Sequence, residues 1–348
     1  MGFASLSLRP FAQPLCCRNS RCMCCRRTDS FSGRKMLKVL CSPMKITSFC
    51  YSQSAYMNSK EVVEDKLLID CGPDQECVIG GIVALGKFEA LHVGHRELAI
   101  QASKAGTPFL LSFIGMAEVL GWAHKAPIVA NCDRKRVLAS WAPLCGNMVP
   151  LEYHVNFSNV RYLSPRQFVE RLSKELGVSG VVAGENYRFG YKAAGDSSDL
   201  AHLCEEYGLA AYIVRPVMDK LQTCNGVSFT NGKEKGQVSS TRVRHALASG
   251  NMEYVSQLLG RSHRLFMTNT RGHVVMGSRL SLPTLCLMNQ QPKEGSYNDC
   301  TLYVDGFVGD CNVVIDGTHI HIETESWPPL DDNCLISVEF NGSVSRES

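Results

Sequence analysis

A regular alternation of strand-like and helix-like segments, beginning at Val78, constrains the fold of this chain more than any other feature. Four apolar runs have the length and composition of buried strands: Val78–Leu85, Phe109–Ile114, Val181–Ala183 and Leu209–Val214. Strands that alternate with helices form a parallel sheet covered on both faces, and such sheets bind ligands beyond the carboxyl ends of their strands. The sequence therefore predicts an α/β domain with a parallel sheet.

Capping residues mark the ends of the predicted helices. The segment Arg96–Lys104 is expected to form a helix that stops at Gly106. Ser164 and Gln167 have the spacing of a capping box, and Pro165 suits the first helical turn. Further helices are predicted at Asp133–Leu138, through Leu200 and Leu203, and from Ser239 or Ser240 to Gly250.

The loop between the first strand and its helix carries His92 and His95 on either side of Gly94. A helix N-terminus offers free backbone N–H groups and a positive partial charge, and a glycine there lets a ligand approach the backbone. Imidazoles three residues apart at a helix start point to one side and can donate to phosphate oxygens. The pattern predicts a phosphate site, and a pair of ordinary surface histidines is the alternative.

A second candidate anion site lies at Ser239-Ser240-Thr241-Arg242-Val243-Arg244. Two hydroxyl groups, the free N–H groups of a helix start and an arginine converge there. An ordinary capped helix with solvated arginines is the alternative. The chain contains neither Gly-x-Gly-x-x-Gly nor Gly-x4-Gly-Lys-Ser/Thr, so the dinucleotide fingerprint and the P-loop are both absent.

A third string, Gly184–Gly190, follows a predicted strand. Its two end glycines bracket an amide, a phenol, a guanidinium and an aromatic ring, which together can stack on and hydrogen-bond a planar heterocycle. A plain glycine-bounded turn would also explain the string.

Charge is distributed unevenly along the 348 residues, whose net charge is +3. Residues 1–60 hold ten Lys/Arg and one acidic residue, so the rest of the chain carries a net −6. The mildly acidic body argues against a nucleic-acid-binding surface, and no apolar stretch is long enough for a membrane span. The basic, Ser-rich start without an apolar core predicts an organellar transit peptide over residues 1–57, with the plastid favoured.

The 17 cysteines fall into two groups, seven of them before residue 51. Those seven lack the two Cys-x-x-Cys pairs of a typical zinc site, and the segment is expected to be removed. The other ten are scattered singly, which predicts reduced core thiols rather than a disulfide framework.

The three strings together resemble the signatures of the bacterial-type FAD synthetases. Gly86–His95 is similar to that family's form of the His-x-Gly-His signature of nucleotidylyltransferases, Ser239–Arg244 to its Ser-Ser-Thr-x-x-Arg motif, and Gly184–Gly190 to its flavin-site motif. They occur in the family's order and are followed by the family-like Leu258–Arg261. The resemblance implies a Rossmann-like nucleotidylyltransferase domain.

The activity implied by the resemblance is FMN adenylyltransferase: ATP and FMN give FAD and pyrophosphate, with Mg²⁺ bound largely through phosphates and water. No activated nucleophilic side chain is evident, so direct transfer is expected. The expected ATP-binding residues are Gly86, Phe88, His92, Gly94, His95, Ser239, Ser240, Thr241 and Arg242, with His92, His95 and Arg242 catalytic. Asn186, Tyr187, Arg188 and Phe189 are expected to bind the flavin. The alternatives are a nucleotidylyltransferase for nicotinamide mononucleotide or phosphopantetheine, and an inactive flavin- or nucleotide-binding scaffold.

Two positions depart from the family's pattern. Glu89-Ala90 stand where Asp-Gly is usual, and Gly115-Met116-Ala117 replace a Pro-His-Pro-like element. The first change keeps a carboxylate, whereas the second removes an imidazole that could touch phosphate. Slower turnover, or a site filled differently, is the expected consequence.

Residues 263–348 differ in character, with short β-rich runs separated by Gly, Pro, Asn and Asp, which predict a small antiparallel β-barrel-like domain. In this family that position belongs to a riboflavin kinase. Gly277–Cys286 resembles a decayed Gly-x-Pro-Thr-Ala-Asn segment in which Thr284 survives and Cys286 replaces Asn. A thiol is a poor Mg²⁺ ligand. We expect an adenylyltransferase domain at 58–262 and a kinase-like domain without kinase activity, a bifunctional enzyme being the alternative.

Overall fold

The computed structural model describes residues 77–220, 236–269, 275–331 and 334–341. The predicted transit peptide lies outside these residues. Five parallel strands form the first sheet in the order β3-β2-β1-β4-β5. They are β1 (Ile82–Leu85), β2 (Pro108–Ile114), β3 (Leu151–Asn156), β4 (Gly180–Gly184) and β5 (Ala210–Val214). The strand order reverses between β1 and β4, which is where open α/β sheets form their ligand crevice.

Helices join the parallel strands and cover both faces of the sheet. They are α1 (Val93–Ala105), α2 (Met116–Leu120), α3 (Arg134–Ala139), α4 (Phe157–Val160), α5 (Pro165–Lys174) and α6 (Ser197–Glu206), followed by α7 (Ser240–Ser249) and α8 (Met252–Leu259). The capping box at the start of α5 is confirmed, with Ser164 and Gln167 bonded reciprocally. Ser239 caps α7, and Gly106 and Gly250 end their helices as predicted.

Two apolar cores lie on opposite faces of the parallel sheet. Successive side chains of β1 point to opposite faces, so Val83 contributes to one core and Ile82 to the other. The Val83 side is filled by residues of α5 and α6. The Ile82 side continues through α7 and α8 into the C-terminal sheet. The predicted parallel sheet with helices on both faces is therefore confirmed.

The C-terminal region forms one antiparallel sheet of six strands in the order β6-β11-β8-β9-β10-β7. The strands are β6 (His263–Thr268), β7 (Arg279–Pro283), β8 (Gly295–Val304), β9 (Phe307–Ile315), β10 (His319–Glu323) and β11 (Leu335–Phe340). Met267 forms a β-bridge with Leu287, and the Met288 N–H donates to the Phe266 carbonyl at 2.9 Å. Because these contacts join β6 to the segment just after β7, the sheet curls towards closure, as the barrel-like expectation requires.

One strand prediction needs correction, and one strand was not predicted. The run Val78–Leu85 was expected to be one strand, but the structure has a turn before β1, with the Gly81 N–H donating to the Val78 carbonyl. Gly80 permits this turn because its φ is +75°. Strand β3 had no prediction at all. Its burial alternates along Leu151–Asn156 and polar side chains interrupt the apolar pattern, so no continuous apolar run marks it.

Candidate functional site

The predicted histidine pair lies at the start of α1, just beyond the carboxyl end of β1. His92 is the N-cap residue, and its Nδ1 accepts a hydrogen bond from the backbone N–H of His95 at 3.3 Å. The two rings stack with centroids 3.7 Å apart, and the Phe88 ring packs edge-on against His95 at 5.0 Å. Both histidines are buried. The spacing in the sequence therefore brings the two imidazoles together, as predicted.

Both imidazoles are neutral at ordinary pH because their surroundings disfavour the charged form. Burial lowers the pKa of His92 to about 4, and the nearby Arg261 adds to the effect. Burial also holds the pKa of His95 well below its usual range, helped by His92, Arg134 and Arg261. Since Nδ1 of His92 accepts a hydrogen bond, its proton is assigned to Nε2, which can donate to a substrate oxygen.

Gly94 is required by close packing at this point. A Cβ there would lie 3.1 Å from Cε1 of His92 and 3.9 Å from the carbonyl oxygen of Val238. Val238 directly precedes Ser239, the N-cap of α7. The N-termini of α1 and α7 therefore adjoin, and each start of an α-helix has backbone N–H groups without a partner inside its helix. Gly86 lies under the ring of Phe88, whose Cζ would be 3.2 Å from a Cβ at that position.

The second string divides into residues with different roles. Ser239 accepts from the Arg242 N–H at 3.2 Å, Ser240 opens α7, and Thr241 is exposed beside it. The Arg242 guanidinium, in contrast, is buried and bonded to Asp219 at 3.0 Å and to the Gln237 carbonyl at 3.1 Å. Its charge is already paired, so this geometry favours a positioning role and gives no support to a direct phosphate contact.

Arg244 is a residue that the sequence analysis did not assign to the site. Its guanidinium pairs with Glu89 of the first string, donates to the Ala126 carbonyl at 2.9 Å and contacts Gln290 of the C-terminal region. The signal was present, because the arginine of a Ser-Ser-Thr-x-x-Arg pattern falls at 244 and not at 242. The contact also shows what the Glu89 carboxylate does: it ties the first string to the second.

The third string lies beyond the carboxyl end of β4, next to β1 in the sheet. Asn186 is exposed, and its Nδ2 donates to Oε1 of Gln237 at 3.0 Å, just before the second string. Tyr187 and Phe189 stack with ring centroids 5.9 Å apart, and Arg188 donates to the Ala193 carbonyl. The Phe189 ring is buried in the core, so its predicted contact with the flavin gains no support, whereas Asn186 and Arg188 are open to a ligand.

Trp122 follows the segment that replaces the Pro-His-Pro-like element. Gly115 starts this segment with φ +72°, and α2 follows it. The Lys87 ammonium of the first string lies 4.6 Å from the centroid of the Trp122 ring, which is half exposed. The segment therefore reaches the first string through an aromatic ring, which no motif in the sequence indicated.

The predicted kinase segment forms β7 and the turn after it. Ser281 Oγ lies 2.8 Å from Nδ1 of His321, and Nε2 of that imidazole lies 2.9 Å from Oδ2 of Asp316. The Thr284 N–H donates to the Thr318 carbonyl, and Cys286 is buried. The polar groups on this face of β7 and β10 therefore bond to one another.

No group of three or more His, Cys, Asp or Glu residues with metal-binding geometry occurs in the part of the chain that the structure describes. The same part contains no helix that is long and apolar enough to cross a membrane. Six of its eight free cysteines are buried, as predicted for core thiols, whereas Cys77 and Cys132 are exposed.

A parallel sheet with its strand reversal at β1 and β4, and with helix N-termini and histidines at that reversal, defines a nucleotide-binding α/β protein. Two family models match the chain, one described as FAD synthetase over residues 74–226 and one as the C-terminal domain of FAD synthetase 1/2 over residues 262–343. The chain belongs to the FAD synthetase family.

Individual relatives agree with this assignment. FAD synthetase 1, chloroplastic, of Arabidopsis thaliana is 57% identical over 252 residues, which cover 71% of each chain. FAD synthetase 2, chloroplastic, of the same plant is 55% identical over 271 residues, covering 76% of this chain and 73% of that one. A crystal structure described as a macrolide-efflux protein from Streptococcus pneumoniae matches with a TM-score of 0.61 at 20% identity, over 77% of this chain and 86% of that one, and shows the shared fold.

Proposed function

We propose that this chain is a chloroplast FMN adenylyltransferase that converts ATP and FMN into FAD and pyrophosphate. One observation carries the proposal: the N-termini of α1 and α7 adjoin beside the two histidines, and the third string meets the second through Asn186 and Gln237. A triphosphate site and a heterocycle site are thus neighbours at the reversal of the sheet. The family membership and the chloroplastic relatives agree with this function and location.

The reaction is a direct transfer at the α-phosphorus of ATP. A phosphate oxygen of FMN forms the new bond to this phosphorus, and the bond to the bridging oxygen of the leaving pyrophosphate breaks. Nε2–H of His92 donates to an α-phosphate oxygen, and His95 packs behind it. The N–H groups at the start of α7, with Ser239, Ser240 and Thr241, hold the β- and γ-phosphates. The protein contributes positioning and charge stabilisation rather than a nucleophile.

Mg²⁺ fits this site as a phosphate-bound ion. Mg²⁺ keeps several waters and is commonly held by substrate phosphates with one or two carboxylates. The Glu89 carboxylate is engaged by Arg244, and none of the described residues forms an acidic ligand group here. When bound, the ion would neutralise charge on the phosphates, and no protein ligand is assigned to it.

The C-terminal domain is proposed to lack riboflavin kinase activity. His321 forms hydrogen bonds with both Ser281 and Asp316, so these polar side chains bond to one another. Cys286 offers a buried thiol where an oxygen ligand is expected. The proposed domain boundaries are those taken from the sequence. They are a transit peptide over residues 1–57, an adenylyltransferase domain over residues 58–262 and a kinase-like domain over residues 263–348.

The test is a product assay with the full chain, ATP and Mg²⁺, and either FMN or riboflavin as acceptor, with the flavins separated by chromatography. The expected result is FAD and pyrophosphate from FMN, and no product from riboflavin. FMN or FAD formed from riboflavin would refute the loss of kinase activity. Tight FMN binding without pyrophosphate release would point to a scaffold, and equal rates with nicotinamide mononucleotide or phosphopantetheine would reassign the acceptor.

A further inference from the structure

Arg261 makes contacts that no role assigned above explains. It follows the C-cap glycine of α8 and precedes β6, and its guanidinium reaches back under the histidine loop. Nη1 donates to the carbonyl oxygens of Leu91 at 2.6 Å and Leu259 at 3.2 Å, and Nη2 donates to the Ala90 carbonyl at 3.1 Å. One side chain thus joins the end of α8 to the two residues that precede His92.

The turn that Arg261 holds is conformationally costly. Leu91 has φ +46°, in the left-handed region that a leucine rarely adopts. Such a conformation is strained and persists only where its surroundings hold it in place. The two carbonyl groups bonded by Arg261 belong to the peptides on either side of the Leu91 Cα, so the two-pronged guanidinium restrains the turn directly.

Arg261 forms no ion pair of its own, although the nearby Asp133 carboxylate, which is paired with Arg136, favours its charged form. Among the described residues, its neighbours Arg134 and Arg136 pair with Glu152 and Asp133, whereas no acidic side chain forms an ion pair with Arg261. Burial lowers the pKa of the Arg261 guanidinium to about 10, yet it remains charged at neutral pH. Arg136, Arg134 and Arg96 also lower this pKa, so positive charge is in excess here and favours the approach of an anion.

We propose that Arg261 is a positioning residue of the adenylyl-transfer site: its bidentate guanidinium fixes the turn that presents His92, and its positive charge supports both the neutral histidine pair and the bound triphosphate. Only the part of this proposal that concerns the bound triphosphate rests on the proposed function. The charged and titratable groups that face the pair are Arg134 from α3 and Arg261 from beyond α8, and each histidine faces the other.

Two substitutions distinguish the effect of the bidentate guanidinium geometry of Arg261 from the effect of its positive charge. Arg261→Lys keeps the charge and loses the bidentate geometry, whereas Arg261→Met loses both. Arg264→Met is the matched control, because Arg264 also is a partly buried arginine but pairs with Glu339 on β11. The measurements on the full chain are kcat and KM for ATP, and the titration of the histidine Cε1 protons by NMR without substrate.

Arg261→Met is expected to lower kcat/KM for ATP about 10²-fold, a typical loss for an electrostatic contribution at a reacting centre. It is also expected to raise the apparent pKa of His92 and His95 towards the usual histidine value. Arg261→Lys should lower kcat while leaving the histidine titration near that of the unmodified chain. Arg264→Met should change neither measurement.

Wild-type kinetics and titration in Arg261→Met would overturn the proposal, as would equal effects in Arg264→Met. If Arg261→Met does not fold, Arg261→Lys provides the test. A kcat equal to that of the unmodified chain would show that the bidentate hydrogen bonds of Arg261 do not position the histidine turn. Failure of the proposed function is distinguishable, because the unmodified chain would then make no FAD while the histidine titrations still report on Arg261.

Discussion

The neutral state of the histidine pair follows from its geometry. Two imidazolium rings 3.7 Å apart would repel each other in a site with little water, so stacking and neutrality go together. A neutral ring has one N–H donor, and the acceptor role of Nδ1 in His92 leaves Nε2–H as that donor. In the proposed reaction the pair would therefore act through directed hydrogen bonds and packing, and not as two positive charges.

Loss of the His95 ring should reduce catalysis far more than folding. His95→Ala is expected to lower kcat about 10²-fold or more, the size of effect seen when an electrostatic transition-state contact is removed. The stacking partner that holds His92 would be lost at the same time. FAD formation at saturating ATP and FMN measures the effect. His202→Ala, on the exposed face of α6, is the control and should keep full activity. Near wild-type turnover in His95→Ala would remove this residue from the mechanism.

The roles of some single residues could be predicted from the sequence, and those of others could not. The histidines, Gly94 and the cap at Ser239 could be located because their roles depend on local spacing. The spacing of the Ser-Ser-Thr-x-x-Arg pattern singles out Arg244, but it does not predict what Arg242 and Arg244 bind, since the two differ in long-range partners. Asp219 lies 23 positions from Arg242, and Glu89 lies 155 positions from Arg244. Only the fold brings those carboxylates to one arginine or the other.

At the scale of helices and strands, prediction succeeded where periodicity and caps were strong. The helices α1, α5, α6 and α7 and the strands β2, β4 and β5 lie where the sequence places them. Strand β3 was missed because its pairing with β2 compensates for weak local propensity. The curled sheet was expected only in outline, because the antiparallel register that joins β6 to β11 involves residues far apart in the chain.

The cap at the N-terminus of α7 stabilises the helix, and its proposed contribution to ATP binding can be measured separately. Ser239→Ala removes an N-cap bond and should lower the free energy of unfolding by about 1 kcal/mol. It should also raise KM for ATP, because the free N–H groups of α7 lose their alignment on the phosphates. Ser164→Ala removes an equivalent cap from α5, which packs on the other face of the parallel sheet from α7, and should cost similar stability with unchanged KM for ATP. Chemical denaturation and ATP kinetics on both variants measure this. Equal KM values in the two variants would show that α7 does not hold ATP.

At the scale of the whole molecule, one apolar core connects the two sheets. The residues behind β1 pack against α7 and α8, and these helices pack against the inner face of the antiparallel sheet. Arg244 contacts Gln290, and Asn289 donates to the Ile128 carbonyl at 3.0 Å, so polar contacts cross the same boundary. The C-terminal sheet thus completes the core behind the histidine site, whatever its own chemistry.

This shared core makes the stability of the whole fold depend on pH through its buried histidines. Burial lowers the pKa of His92 and of His263 to about 4 and holds that of His95 well below its usual range. The unfolded chain, with a histidine pKa near 6.5, binds more protons over this interval, so stability is complete above about pH 6.5 and is lost as the pH falls towards 4. A histidine with a folded-state pKa of about 4 should lower the free energy of unfolding by roughly 2 kcal/mol when the pH falls from 7.5 to 5.

His263 allows this dependence to be tested away from the adenylyl-transfer site. Its Nε2 lies 2.9 Å from the Gln290 carbonyl oxygen, a bond that the amide of a glutamine can replace. When the pH is lowered from 7.5 to 5, the free energy of unfolding of His263→Gln is therefore expected to fall by about 2 kcal/mol less than that of the unmodified chain. Urea denaturation at the two pH values measures the difference. Since acidic side chains titrate mostly below pH 5, they affect both proteins alike. An unchanged pH dependence in the variant would show that His263 is already protonated, or exposed, in the folded protein.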